Sequence, residues 1–197
     1  VWRSRWVRED NAIVECREAL ALPARANRAV VLRRVRACAG TARVSIVLDP
    51  RADFGRRPLR GLARDDSGCW SGRIGDVHVR WSGGERARPA AGDALVLELA
   101  LGEGEEHDLV LVLALDDGDL EVPEPKAAWS GTEAAWREWV PAFENTVAER
   151  DVRHAYAVMS AAASASGGMV ASATMSLPER ARAGRNYDYR YVWIRDQ

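Results

Sequence analysis

Six segments between Ala12 and Leu115 carry apolar residues at alternate positions or in short β-branched runs. Such alternation puts the apolar side chains on one face of an extended chain, so each segment predicts a β-strand. The segments are AIVECREAL (12–20), AVVLRRVRA (29–37), ARVSIVLD (42–49), DVHVRW (76–81), ALVLELAL (94–101) and DLVLVLAL (108–115). Loops rich in Gly, Pro, Asp and Arg separate them, with no helical pattern between. The sequence therefore predicts a mainly β fold with antiparallel sheets, most simply a β-sandwich.

The pattern changes after Asp119. The segment VPEPK (122–126) predicts a short stiff connector, because proline fixes φ and removes amide donors. Thr132 then resembles the N-cap of a helix over residues 133–143 that Pro141 should end or kink. Three apolar residues of this helix share one face at three- and four-residue spacing: Trp136, Trp139 and Val140.

A second helix is predicted over roughly Ala148 to Ala165, ending at Gly167 and Gly168. One stripe of this helix holds Val152, Tyr156 and Met159. The following GGMVASATMSLPE (167–179) is a glycine turn, a run of small residues and a proline stop, for which a structural loop is the simpler interpretation.

These patterns divide the chain into a β-sandwich domain over residues 1–120, a linker with a short helix over 121–147, and the opening of a helical domain over 148–197. Two amphipathic helices need partners for their apolar faces, and few candidates follow them. The sequence also lacks an initiating Met. We therefore expect a piece of a longer protein, truncated in its helical domain and lacking the first strands of its sandwich.

The composition argues against nucleic acid and membrane as partners. The 28 basic residues are balanced by 29 acidic ones, for a net charge of -1, so charge does not indicate a nucleic-acid surface. No apolar run approaches the ~20 residues that a membrane span needs. Arginines at alternate positions of residues 30–37 indicate a solvated sheet face, with an anion or partner surface as the alternative.

Three cysteines lie far apart, which argues against a disulfide framework or a zinc site and fits a reducing, cytoplasmic compartment. They are Cys16, Cys38 and Cys69. The opening VWRSRWVRED lacks the apolar core of a signal peptide, although a signal upstream of it stays open. Nothing in the sequence indicates a cofactor or a metal, and the oligomeric state, including a homo-oligomer of the full-length form, stays open.

Other titratable groups form no recognisable constellation. The three histidines are predicted in a strand, a turn and a helix: His78, His107 and His154. The turn DDGD (116–119) lacks the distal glutamate of a calcium loop. Three glutamates near helix starts or turns are better explained as dipole or loop carboxylates than as catalytic acids: Glu144, Glu149 and Glu179.

The last residues, NYDYRYVWIRDQ (186–197), combine aromatic and charged side chains. If this segment is extended, one face carries Tyr187, Tyr189, Tyr191, Trp193 and Arg195, and the other carries Asp188, Arg190, Val192, Ile194 and Asp196. Aromatic rings cover the apolar faces of sugars, while Arg and Asp groups hydrogen-bond the hydroxyls. An aromatic core edge with surface ion pairs is the alternative.

The block GRNYDYRYVWIRDQ (184–197), preceded by SATMSLPE (172–179), closely resembles the signature that opens the catalytic domain of glycoside hydrolase family 15, the glucoamylases, glucodextranases and trehalases. The resemblance implies an N-terminal super-β-sandwich, linker helices and an (α/α) barrel that hydrolyses terminal α-glucosides with inversion. It also implies that Arg195 and Asp196 hold the non-reducing-end glucose. Tyr189 and Trp193 would form the pocket wall, with Tyr191 as a less certain member. Tyr187, Val192 and Gln197 depart from the family's usual residues.

In that family two glutamates serve as general acid and general base, and both follow the region that this sequence covers. The resemblance thus implies a fragment that grips an α-glucoside, such as trehalose, a maltooligosaccharide or a dextran-like glucan, without cleaving it. The alternative function is a non-catalytic carbohydrate-binding or interaction module, with Trp70 and Trp81 as its exposed anchors.

Overall fold

A computed structural model describes residues 1–53, 55–164, 166–173 and 188–194. The chain divides into two compact units, Val1–Ala135 and Trp136–Gln197. The first unit contains the strands and the beginning of the first helix. The second contains the end of that helix, the second helix and the terminal segment.

The first unit is built from β-strands, and all six predicted strands are confirmed. The described residues form β1 (Trp2–Val7), β2 (Ile13–Leu20), β3 (Arg28–Ala39), β4 (Ala42–Leu48), β5 (Arg60–Arg64), β6 (Trp70–Ile74), β7 (Val77–Ser82), β8 (Arg88–Pro89), β9 (Leu95–Leu101) and β10 (Glu106–Ala114). The predicted segments correspond to β2, β3, β4, β7, β9 and β10, with ends that differ by at most two residues.

The strands form two antiparallel sheets. The larger has seven strands in the order β1-β2-β3-β10-β7-β6-β5, and the smaller has three in the order β4-β9-β8. One buried cluster joins side chains of both sheets, including Cys16 and Val35 of the larger sheet and Ile46 and Leu97 of the smaller. The mainly β, antiparallel arrangement agrees with the predicted sandwich, whereas an (α/α) barrel does not follow from the described residues.

Four strands were not predicted: β1, β5, β6 and β8. β1 alternates Trp and Ser with Arg, and both Trp2 and Trp6 are largely exposed. β5 contains a bulge at which the register with β6 shifts, with Gly61 at φ +65°. β8 is only two residues long and includes Pro89, which cannot donate a ladder hydrogen bond.

The other face of the larger sheet packs against the first helix, α1 (Pro125–Trp139). Trp129 of α1 is 4% exposed and contacts a second buried cluster formed by β3 and β10. The strand members of this cluster are Val30, Leu32, Val110 and Val112. The helix is therefore tied to the sheet by one large aromatic side chain.

The predicted N-cap at Thr132 is wrong, because α1 begins seven residues earlier, at Pro125. The Glu124 side chain accepts hydrogen bonds from the backbone N–H groups of Lys126 (3.0 Å) and Ala127 (2.7 Å), which lowers the pKa of that carboxyl. Proline is favoured at the first helical position, so the supposed connector starts the helix. Thr132 lies inside α1, fully buried, and its Oγ1 accepts from the backbone N–H of Leu22 at 3.1 Å.

The predicted solvated arginine face is wrong at Arg34. Its Nε and Nη2 donate to the two oxygens of Asp108, each at 2.7 Å, and its guanidinium lies 5.7 Å from the Trp129 ring centroid. The guanidinium of Arg17 lies 5.2 Å from the same centroid and pairs with Glu133. Arg17 and Arg34 lie opposite one another on β2 and β3, and because α1 covers this part of the sheet their guanidiniums pack on an aromatic ring instead of facing water.

In the second unit, α1 ends at Trp139, two residues before Pro141, as predicted. Trp136 and Trp139 stack with ring centroids 5.2 Å apart, which confirms their shared face. The second helix, α2 (Glu149–Ala162), is confirmed with an end three residues earlier than predicted. Neither helix is long and apolar enough for a membrane crossing in the described part of the chain.

Candidate functional site

The C-terminal end of α2 leads through a glycine turn into the candidate site. The Ser164 N–H donates to the Gly168 carbonyl at 2.8 Å, and the Gly167 N–H donates to Ser164 at 2.9 Å. Gly167 has φ +87°, a conformation that glycine adopts without strain. A Cβ on Gly168 would lie 2.9 Å from Cγ2 of Val192, so only a glycine permits this approach without rearrangement. The two glycines thus bring the chain back against the terminal segment.

Two short stretches of the second unit run antiparallel to one another. Val170 and Val192 form an isolated β-bridge. The Ser172 N–H donates to the Tyr189 carbonyl at 2.9 Å, and the Ala171 N–H donates to the Tyr191 carbonyl at 3.3 Å. The structure therefore joins the start of the SATMSLPE block to the aromatic terminal block, although only Ser172 and Ala173 of the former are described.

The terminal segment is not extended as the two-face prediction required, since residues 189 and 190 form a turn. Asp188 accepts from the Arg190 backbone N–H at 3.0 Å and also binds the Arg190 guanidinium, with Nε at 2.9 Å and Nη2 at 2.6 Å. Aspartate stabilises turns in this way, through a hydrogen bond to the backbone two residues on. The side-chain and backbone hydrogen bonds from Arg190 lower the pKa of Asp188 to about 2.

The aromatic candidates differ in exposure. Tyr189 and Trp193 are half-buried, whereas Tyr191 is 68% exposed. The roles of these three residues in a sugar pocket stay predictions. The remaining candidates lie outside the described residues: Arg195, Asp196, Tyr187 and Glu179.

Several other titratable residues of the described chain take part in structural contacts. His78 Nδ1 lies 3.0 Å from Asp117, and His107 Nε2 lies 2.6 Å from the Gly83 carbonyl. Asp116 accepts from the Gly118 N–H at 3.0 Å. Burial raises the pKa of the Cys16 thiol, which makes it a poor nucleophile. Within the described ranges no cluster of His, Cys, Asp and Glu could hold a metal ion.

The two tryptophans named for the alternative function are not exposed anchors. Trp70 is 9% exposed and Trp81 is 3% exposed, and they face each other across β6 and β7 in the sandwich core. The Trp70 indole N–H donates to the Gly84 carbonyl at 2.9 Å. A carbohydrate-binding module anchored on these two rings is therefore excluded by their burial.

Comparison with known proteins gives one family model and several trehalases. The protein-family model described as "Glycosyl hydrolases family 15" matches residues 152–197. A trehalase of Mycobacterium tuberculosis is 38% identical over 71 residues, which cover 34% of this chain and 10% of the relative. Trehalase 2 of Sulfolobus acidocaldarius is 61% identical over 31 residues, which cover 16% of this chain and 5% of the relative.

A third relative extends the similarity to the β-strands. A trehalase of Mycolicibacterium smegmatis is 27% identical over 176 residues, which cover 85% of this chain and 26% of the relative. The chain thus spans about a quarter or less of each of these relatives. The resemblance of this chain to glycoside hydrolase family 15 is confirmed by these matches, with the family model lying over its terminal residues 152–197.

Proposed function

We propose that this chain contributes the sandwich and one edge of the glucose-binding subsite to an inverting α-glucoside hydrolase. The observation that carries the proposal is the family match over residues 152–197, which contains the aromatic block and the Arg195–Asp196 pair. The relatives are called trehalases, so trehalose is the first substrate to test, followed by maltooligosaccharides and dextran-like glucans.

The terminal block contains the types of residue that bind neutral sugars. The rings of Tyr189 and Trp193 offer apolar faces to the C–H groups of a glucose unit, while Tyr191 would act at the rim. The Arg195 guanidinium donates to hydroxyl oxygens and the Asp196 carboxylate accepts from hydroxyl hydrogens. Charged hydrogen bonds of this kind contribute about 1.5–3 kcal/mol each, enough to select a pyranose with the correct hydroxyl pattern.

The turn at Asp188 and the bridge at Val192 would hold these side chains in register. Asp188 fixes Arg190, and backbone hydrogen bonds tie Tyr189 and Tyr191 to Ser172 and Ala171. Positioning by such contacts matters because a small displacement of a binding group costs much of its effect. We therefore assign Asp188 and Gly168 as positioning residues, which the sequence interpretation did not identify.

Bond cleavage is assigned to groups outside this sequence. Inverting hydrolysis needs a carboxylic acid and a carboxylate ~6.5–9.5 Å apart, with a water between them. Glu149 lies in the first turn of α2, 4.0 Å from Arg153, and Glu144 is exposed beside it in the chain. Both side chains are exposed, whereas a general acid of this kind lies in a pocket shielded from water. The protein would act in the cytoplasm, where its substrate would be an intracellular disaccharide or glucan.

The chain alone should not turn over an α-glucoside. Purified chain and a longer product of the same gene would be assayed with trehalose, maltose and dextrin, with released glucose as the readout. We expect glucose from the longer protein only. Appreciable turnover by the chain alone would contradict the assignment of acid and base to other residues.

A further inference from the structure

Four arginines meet at one end of the larger sheet, far in sequence from the proposed sugar site. An open cavity of about 490 Å³ is lined by Arg56, Arg57, Pro58, Arg60, Arg73 and Gly75. We name the four arginines Arg56, Arg57, Arg60 and Arg73 the arginine cluster. They come from three places: the loop before β5, the first residue of β5 and the end of β6 with its turn.

Backbone contacts hold the loop that carries Arg56 and Arg57. Ala52 and Arg57 exchange two hydrogen bonds, of 2.9 and 3.1 Å, and the Arg56 N–H donates to the Asp53 carbonyl at 3.1 Å. Pro58 then fixes φ before the strand begins. Backbone hydrogen bonds therefore fix the positions of Arg56 and Arg57 beside the cavity.

Arg60 and Arg73 lie directly opposite one another in the β5–β6 pair. Like charges at directly opposite positions of an antiparallel pair destabilise it, so this register has a cost that an anion between them would offset. The β-bulge that follows Arg60, at Gly61, is a feature that commonly re-aims a neighbouring side chain.

Carboxylates neutralise only part of the cluster. Asp93 lies 3.0 Å from Arg60, and Asp53 lies 4.0 Å from Arg57. Among the described residues, Arg56 and Arg73 form no ion pair. Two guanidiniums therefore remain uncompensated beside the cavity.

We propose that the arginine cluster binds a compact oxyanion carrying at least two negative charges, either free or as an ester group on a small molecule. A guanidinium presents paired N–H donors that match the geometry of phosphate, sulfate and carboxylate oxygens. The uncompensated forks of Arg56, in the loop before β5, and Arg73, on β6, select a multivalent anion over chloride, which offers one charge and no planar set of acceptors. The cavity is large enough for the anion with its attached group.

Titration of the purified chain tests this proposal. Sodium sulfate and inorganic pyrophosphate would represent the free anion, and glycerol 3-phosphate the ester, each followed by calorimetry against sodium chloride at equal ionic strength. We expect saturable binding of at least one probe, and its relative affinity for ion or ester identifies the source. A response no larger than that of chloride would overturn the proposal and leave a solvated arginine surface.

Variants locate the binding. Arg73→Gln and Arg60→Gln should each weaken binding about fivefold or more, the effect of losing roughly 1 kcal/mol of charged hydrogen bonding at an exposed site. Arg43→Gln is the matched control, because Arg43 is an exposed arginine on β4 outside the cluster. Unchanged binding by Arg73→Gln with an intact circular dichroism spectrum, or equal weakening by Arg43→Gln, would overturn the proposal.

Discussion

A single buried hydrogen bond at Thr132 connects two distant parts of the chain, and the sequence pattern did not predict it. Thr132 is fully buried inside α1, and its hydroxyl oxygen satisfies the backbone N–H of Leu22, 110 positions away. An N-cap threonine would instead accept from a backbone N–H in the first turn of its own helix. A threonine that satisfies a distant amide joins the helix to the loop after β2.

Replacement of Thr132 by valine keeps the shape and removes the acceptor. We expect Thr132→Val to lower the free energy of unfolding by about 1–3 kcal/mol, because the Leu22 amide is left without its hydrogen bond. Urea denaturation followed by circular dichroism measures the loss. Thr146→Val is the control, since Thr146 is exposed, and a similar loss in both variants would argue against the assigned contact.

The pKa of Asp188 offers a second residue-scale test. Its value in the folded chain is about 2, below the ordinary 3.8, because Arg190 binds the charged carboxylate. The ion pair therefore stabilises the turn above pH ~4, and that contribution is lost as the pH falls through ~2. A carboxyl NMR titration should give a midpoint near 2, rising towards the ordinary value in Arg190→Ala. A midpoint near 3.8 in the unmodified chain would contradict the geometry of the turn.

At the scale of elements, the docking of α1 depends on one ring. Trp129 is nearly fully buried between the sheet and two guanidiniums, whereas Trp139 of the same helix is 48% exposed. Of the two tryptophans, Trp129 packs in the core, whereas Trp139 is about half exposed to solvent.

Loss of the Trp129 ring should weaken the packing of α1 on the larger sheet. We expect Trp129→Ala to lower the free energy of unfolding by about 3–5 kcal/mol, the range for large core truncations. Trp139→Ala should cost clearly less, and chemical denaturation of both variants gives the comparison. Equal losses would mean that the ring burial does not hold α1 on the sheet.

Prediction from the sequence worked best where one physical signal dominated. Period-two alternation identified β2, β3, β4, β7, β9 and β10, because buried faces demand apolar side chains at alternate positions. It missed β5 and β8, where a bulge and Pro89 break the period. It also placed the start of α1 at Thr132, because a threonine before an apolar stripe resembles a cap, while Glu124 and Pro125 form the actual start.

Only part of the candidate site could be predicted from the sequence. The aromatic and charged residues of the terminal block were identified from their chemistry and the family resemblance. Their conformation was not, because the Asp188–Arg190 ion pair turns the chain where alternation assumed a strand. The domain boundaries at residues 120 and 147 and the roles of Arg195 and Asp196 stay predictions.

At the scale of the whole molecule, the proposed anion site lies in the first compact unit and the proposed sugar-binding segment lies in the second. We therefore expect variants in one proposed site to leave binding at the other unchanged. Additivity is expected for sites that share no partners.

The most direct test of the sugar grip is steady-state kinetics of the longer gene product carrying Arg195→Ala or Asp196→Asn, with trehalose and maltose as substrates. Loss of charged hydrogen bonds worth about 3 kcal/mol should lower kcat/KM by roughly 100-fold or more in each variant. Arg43→Ala, in the sandwich, should retain the unmodified value. A kcat/KM within threefold of the unmodified enzyme for both Arg195→Ala and Asp196→Asn would contradict the claim that this segment holds the glucose.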